Sequence, residues 1–525
     1  MSRFIAWSAA LFLSIAGAGP VLAGGSLSRI AGAEPQTLDP QRTTSGLETA
    51  IESDLYEGLT ARGPDGRVVP GAAERWEVST DGKSWTFHLR PDERWSNGVP
   101  LTADDFVFAF RRELDPATHA PMAAQLANIA GAEAWIAGNK DVPFDVTALD
   151  ARTLHIGLVR PSPFLAEMLS YPFAMPLYRP DVEADPSGWN KAPTRVSNGP
   201  FVLEQRVPES ALVLRRNPQF HDADKVALDQ VRWRVLENDA TALKLYRTGE
   251  VDIASVNDED LEAARRMLSG DLHISPIFGT EFVIINQHRQ PLGSSLALRR
   301  ALALAIDRTV LTESVDPTGG TRSCSYVPAH SPGYQGARIE DCALPIAQRR
   351  AEAKALAAAA GLDPKSPLKI ALIYRTNRLD RKRLTAIIEM WRPLGIELDL
   401  VNREWRTYLE ALMKGDYDMA IAKIVGASGD PLEFLNGMRP HGEINVMGYA
   451  DDAFETLMHQ AEDEPDPERR NALLSEAETR LLADVPLIPI DTPVERVLVR
   501  SRVRGWQDNE FAFHPSRWLS LAPSP

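Results

Sequence analysis

The chain has 525 residues, too many for a single hydrophobic core, so two or three domains are expected. An apolar content of 44% places it with ordinary soluble globular proteins. The formal net charge of −15 argues against nucleic acid as a partner, because a binder of phosphate backbones needs a basic face.

In chain order, Arg3 comes first and an apolar stretch runs from Phe4 to Ala18. Gly19, Pro20 and Val21-Leu22-Ala23 follow, and the short residues at 21 and 23 suit signal peptidase. Residues 1–23 therefore read as a cleaved secretory signal, with an uncleaved anchor as the other reading. The apolar part is short of the roughly 20 residues a spanning helix needs. No cysteine follows it to carry a lipid, and no later stretch is apolar for long enough to cross a bilayer.

"WTFHL" alternates Trp85, Phe87 and Leu89 with polar residues, which predicts a half-buried strand. Asn97-Gly98 marks a turn, and Thr102 with Asp105 predicts a capping box opening a helix through Phe106–Phe110. A hairpin is expected over 197–216, then a helix stopped by Gly249 and a short strand at "VDIAS". "LALRRALALAIDRTVL" predicts one strong helix with Leu298, Leu302, Ala305 and Ile306 on its apolar face. "AEAKALAAAAGL" predicts another, ending at Gly361. From 368 the pattern is regular: strand 368–374, helix 381–394, strand 396–401, helix 403–415 and strand 418–425. Such a β-α-β-α-β run implies a parallel sheet crossed by helices.

After that last strand comes "GASGDPLEF". In open parallel sheets ligands bind beyond the carboxyl ends of the strands, and small residues there let backbone approach a ligand. Asp430 suits a helix N-cap, Pro431 the first helical position, and Glu433 the far side of a capping box. On spacing alone the stretch reads first as a plain turn into a capped helix.

The only cysteines, Cys324 and Cys342, flank an irregular segment. In an exported chain an even pair reads as a disulfide, with two free thiols as the alternative.

Enzyme motifs fall short. "EVSTDGKS" places Glu77 where a P-loop needs glycine to wrap phosphate, and "GASGD" ends on Asp430 where a nucleophile elbow needs glycine. His221 stands beside Asp222 and Asp224, a pattern that suits a metal site but reads better as a solvated loop. No cofactor is expected.

Several stretches carry a resemblance: "LDPQRTTSGLETAIESDLYEGLT", "PGAAERWEVSTDGKSWTFHLRPDERWSNGVPLTADDFVFAFRR", "NGPFVLEQ", "LRRNPQF", "YRTGEVDI", "RRALALAIDR" and "DPLEFLNGM". In this order they resemble periplasmic oligopeptide- and dipeptide-binding proteins, the peptide/nickel class of solute-binding proteins of ABC importers. The likeness covers nearly all the chain after residue 23, most specifically Ala73 to Arg112. It implies an α/β fold: a two-lobed periplasmic binding-protein clamp with an extra domain and mixed sheets flanked by helices. Lobe I would comprise 24–56, 184–278 and 491–525, the extra domain 57–183, and lobe II 279–490. The implied role is capture of a peptide or other small solute by a periplasmic monomer without catalysis, the lobes closing about a hinge. An ABC permease with its ATPase subunits would receive the ligand.

The resemblance also implies site residues. Backbone of Lys423, Ile424, Val425 and Gly426 would pair with an extended ligand, the strand-addition mode that gives affinity for any peptide sequence. Trp405 would line the cleft, and Thr44 and Gly46 would meet ligand backbone. The family's ammonium-binding aspartate aligns with Ala427, next to Ser428. Asp430, which looks structural, and Glu281 are the acids offered in its place. Two other readings remain, the same transport role for a non-peptide or amine-free solute (metal chelate, modified peptide or sugar) and an extracytoplasmic sensor or chaperone subunit on the same fold. A secreted hydrolase rests only on the near-miss motifs.

Overall fold

A computed structural model describes residues 24–522 except 187, 192–194, 237, 329–330, 332, 441 and 443–444. The expected secretory signal lies outside the described residues. Among these, no helix is long and apolar enough to cross a membrane.

The protein is a two-lobed α/β structure built on three main sheets. The first has seven strands, in the spatial order Leu272–Pro276, Val494–Val499, Ile253–Ser255, Ser26–Ala31, Gln230–Val235, Ala211–Arg216 and Phe201–Val207. It thus gathers the N-terminus, the middle and the C-terminus of the chain. The second has six strands, ordered Thr321–Arg322, Leu487–Thr492, Gly279–Ile285, Met419–Val425, Leu368–Arg375 and Ile396–Arg403. Its last strand in sequence reaches Thr492, just past the expected boundary at 490. A third, antiparallel sheet of four strands lies wholly between Ala73 and Gly157. Each sheet has its own apolar core.

The chain passes between the two large sheets at Ile277–Phe278 and again at Pro493. These crossings are tied together, since the Ile277 N–H donates to the Pro493 carbonyl at 2.8 Å. Two adjacent crossings of this kind leave rotation of one lobe against the other as the soft motion.

Local signals explain most elements. Ser84–Leu89 alternates half-buried and buried positions, as its sequence pattern requires. Asp105 accepts from the Thr102 N–H at 2.8 Å and opens the helix Ala103–Glu113. The parallel unit forms as expected: Leu368–Arg375 pairs in parallel with both Ile396–Arg403 and Met419–Val425. Gly395 and Gly415 end the crossing segments with φ of 85° and 65°, conformations that favour glycine. Cys324 and Cys342 are joined by a disulfide.

One expected helix is broken. Leu296–Ala305 is helical, but Ile306 is extended at φ −69°, ψ 118°, and a separate wide turn covers Val310–Val315. Ile306 stays buried, and its carbonyl accepts from Arg349 at 2.9 Å in place of the next helical N–H. The apolar pattern over 296–311 thus persists while the backbone changes direction.

Candidate functional site

The strand Met419–Val425 has one fully paired edge and one that is only half used. On the inner side it runs antiparallel to Gly279–Ile285 along its whole length. The Gly426 N–H donates to Phe278 and the Asn286 N–H to Asp418, so even-numbered residues face this ladder. Odd-numbered residues face outward. There the parallel neighbour pairs only through Leu372 with Met419 and Ile373 with Ala420. The Ile421 carbonyl accepts from the Tyr408 hydroxyl at 2.6 Å. Beyond it the backbone groups of Lys423 and Val425 point to an open edge, and Val425 is 49% exposed.

Beside this edge lies a cavity of about 240 Å³. Its floor includes Phe282, Ile284, Ile421 and Ile424, and its far wall is one face of the helix Trp405–Lys414. That helix leaves Trp405 52% and Met413 72% exposed, although both are large and apolar. Trp405 stacks on Tyr408 with ring centres 5.9 Å apart and planes 16° apart. It therefore stands at the cavity wall and has no place in the core. Glu281, Trp405, Lys423 and Ile424 line this one space. Thr44 and Gly46 do not. They are exposed at the start of the helix Gly46–Leu55, and the Thr44 N–H already donates to Glu48 at 3.0 Å.

Carboxylates near the edge are paired. Arg383 is buried among Glu281, Asp316 and Asp491 and bonds all three. Burial pushes Asp491 up to about 6 against the pull of Arg383. Asp380 meets Arg375 at 3.3 Å at the cavity rim. Asp430 accepts from both Arg470 Nη atoms at 2.9 and 2.7 Å and caps the Leu432 N–H at 3.0 Å. Its lone pairs are thus committed to structure, as is the charge of Glu281.

The small-residue loop differs from its expected form in one respect. Glu433 does not reach back to the N-cap backbone. Its two oxygens accept from the Ala427 and Ser428 N–H groups at 2.8 and 2.9 Å, while the Asp430 N–H is taken by Ser428 Oγ at 3.1 Å. From the other side, Arg62 and the Tyr171 hydroxyl each donate to the Ala427 carbonyl at 2.8 Å. What the loop holds is therefore other protein, through its own backbone. Gly426 is required by close approach, since a Cβ there would lie 2.6 Å from the Phe278 ring. Sequence reasoning missed Arg62 and Tyr171, which reach the site from distant segments that no local pattern marks, and Arg375 and Asp380, which stand at and just past the carboxyl end of the neighbouring parallel strand.

The expected solvated loop at His221 is also corrected. The His221 side chain is only 3% exposed, and its partner at 2.8 Å is Glu57, 164 positions away. Sequence proximity suggested Asp222 and Asp224, but the fold supplies Glu57.

A family model described as bacterial extracellular solute-binding proteins, family 5 middle, matches residues 67–445. The chain is 35% identical to the probable deoxycholate-binding periplasmic protein YgiS of Escherichia coli, covering 87% of this chain and 86% of that one. It is 32% identical to the periplasmic oligopeptide-binding protein OppA of Escherichia coli, covering 92% and 89%. Among solved structures, the Escherichia coli murein tripeptide-binding protein MppA is similar with a TM-score of 0.81 at 31% identity, over 96% of this chain and all of that one.

Proposed function

The chain belongs to family 5 of the bacterial extracellular solute-binding proteins, and from that premise we propose that it captures an extended peptide between its lobes for delivery to an ABC importer. The observation that carries this reading is the open edge at Lys423 and Val425 beside the cavity of Trp405. An added ligand strand would find N–H and C=O groups there, which give affinity without regard to sequence, and an apolar pocket for one of its side chains. The relatives' names support the same role: OppA and MppA are named as binders of oligopeptide and murein tripeptide. We place the mature protein in the periplasm, where its named relatives reside, as a monomer that passes its ligand intact to a permease with ATPase subunits.

The binding mode has one departure. A buried ammonium group needs a free acceptor, because removing one member of a buried charged pair costs about 3–5 kcal/mol. Around this edge Glu281, Asp380, Asp430 and Glu433 are each engaged by arginine or by loop amides. The ligand therefore does not depend on a free α-amine at this loop. This favours a second reading, an amine-free apolar solute. The likeness to a protein named for deoxycholate agrees with it. Calorimetry with a binding peptide and its N-acetylated form tests the departure. Less than a tenfold loss on acetylation is expected. A loss of two decades or more, about 2.7 kcal/mol, overturns it.

A further inference from the structure

We propose that Glu57, Glu93 and His221 form a binding site for one zinc-class divalent cation, which staples the seven-stranded sheet to the four-stranded unit. His221 Nε2 lies 2.8 Å from Glu57 Oε2 and 3.7 Å from Glu93 Oε1, and the three atoms are mutually within 4.8 Å. Ligand atoms sharing a tetrahedral zinc stand about 3.3 Å apart, so small rotations of these side chains would fill three of its four positions and leave the fourth to water.

The independent sign of a missing partner is Glu93. It is 3% exposed, and its Oε1 accepts no hydrogen bond. Arg90 Nε, 3.9 Å from it, donates instead to the Gly71 carbonyl at 2.8 Å. A buried carboxylate oxygen without a donor is costly, and a cation at this point removes the cost.

The surroundings are those of a held site. Glu57 is positioned through its backbone, which exchanges two hydrogen bonds with the Asn198 side chain at 3.1 and 2.8 Å, and its other oxygen bonds Arg517. His221 Nδ1 has no hydrogen-bond partner but faces Asp222 Oδ1 at 3.6 Å. At that distance there is no hydrogen bond, and the same oxygen pairs with Lys225 Nζ at 2.8 Å. One imidazole and two carboxylates suit zinc, whereas magnesium and calcium favour larger shells of oxygen alone. The ligands come from three distant parts of the chain, so the bound ion would stabilise the folded state only.

The test uses the full chain, stripped with a chelator and dialysed. Zinc is titrated by competition against a chromophoric chelator, with magnesium as control. One zinc per chain is expected, with a raised melting midpoint and no response to magnesium. Glu93→Gln, which keeps the side-chain shape, and His221→Gln should each weaken zinc binding at least 100-fold and abolish the rise in midpoint. Absence of stoichiometric zinc binding by the wild-type chain, or binding that neither substitution alters, overturns the proposal. Ligand affinity at the cleft is read separately, so the outcome does not depend on the function proposed above.

Discussion

Glu113 is a residue whose environment conflicts with its chemistry. It ends the helix Ala103–Glu113, is fully buried, and neither carboxylate oxygen has a hydrogen-bond partner. Burial, with the nearby Asp39 adding to it, pushes its carboxyl up to about 9. The sign of the linkage follows. Below the unfolded value near 4.5 the group is neutral in both states and contributes no pH dependence. As pH rises from there towards 9, the unfolded chain releases a proton that the folded chain retains, so stability falls. Glu113→Gln should remove this slope and stabilise the protein at pH 7 by on the order of 2–3 kcal/mol. Melting midpoints of the two proteins should coincide near pH 4 and diverge towards pH 8; parallel curves would show that Glu113 ionises freely. "FRREL" gives no hint of this, because it reads as the polar end of an amphipathic helix. Trp405 was legible by contrast: it begins a helix past the carboxyl end of a strand, a position set by topology.

At the level of elements, the parallel unit from Leu368 to Val425 could be read from the chain because each strand and helix is bounded by a local signal. Glycine at a helix end and alternation along a strand are properties of neighbouring residues. The loop after it could be read only in part. Asp430 as N-cap is local and is found. The partners of Glu433 depend on how the loop folds over the helix start, which Gly429 permits with φ at 89°. The two loop glycines also serve different ends that spacing does not separate: Gly429 turns the backbone, and Gly426 makes room for Phe278. Gly426→Ala should therefore act as overpacking and cost roughly 1–3 kcal/mol. It should also displace the adjoining open edge and lower ligand affinity. Urea unfolding and calorimetry on the same variant check both effects. Unchanged stability and affinity would mean that the loop and Phe278 yield without cost.

For the whole molecule the question is which contacts distinguish a closed clamp from an open one. A ligand shifts that equilibrium only through contacts that differ between the two states. Arg62 and Tyr171 belong to the chain leading into and out of the four-stranded unit, yet both bond Ala427 on the loop of the six-stranded sheet. Arg160 forms an ion pair with Glu462 across the same divide. Arg62 is held in place by its own stem of contacts: it bonds the Gly66 carbonyl at 2.9 Å and lies over the rings of Phe511 and Tyr171 at 4.5 and 5.5 Å. These donors meet the backbone of the loop that adjoins the open strand edge, and they would act as a latch if they form only when the lobes close. A neutral hydrogen bond contributes about 0.5–1.5 kcal/mol and one from a charged group about 1.5–3. Tyr171→Phe keeps the ring beside Phe173 and removes only the hydroxyl donor, so ligand affinity should fall roughly 2- to 12-fold. Arg62→Met should cost roughly 10- to 150-fold. Small-angle scattering should show less compaction on ligand addition in both variants at subsaturating ligand. If both variants bind as tightly as the parent and lose only melting temperature, the contacts are equal in the open and closed states, and the latch is a fixed joint.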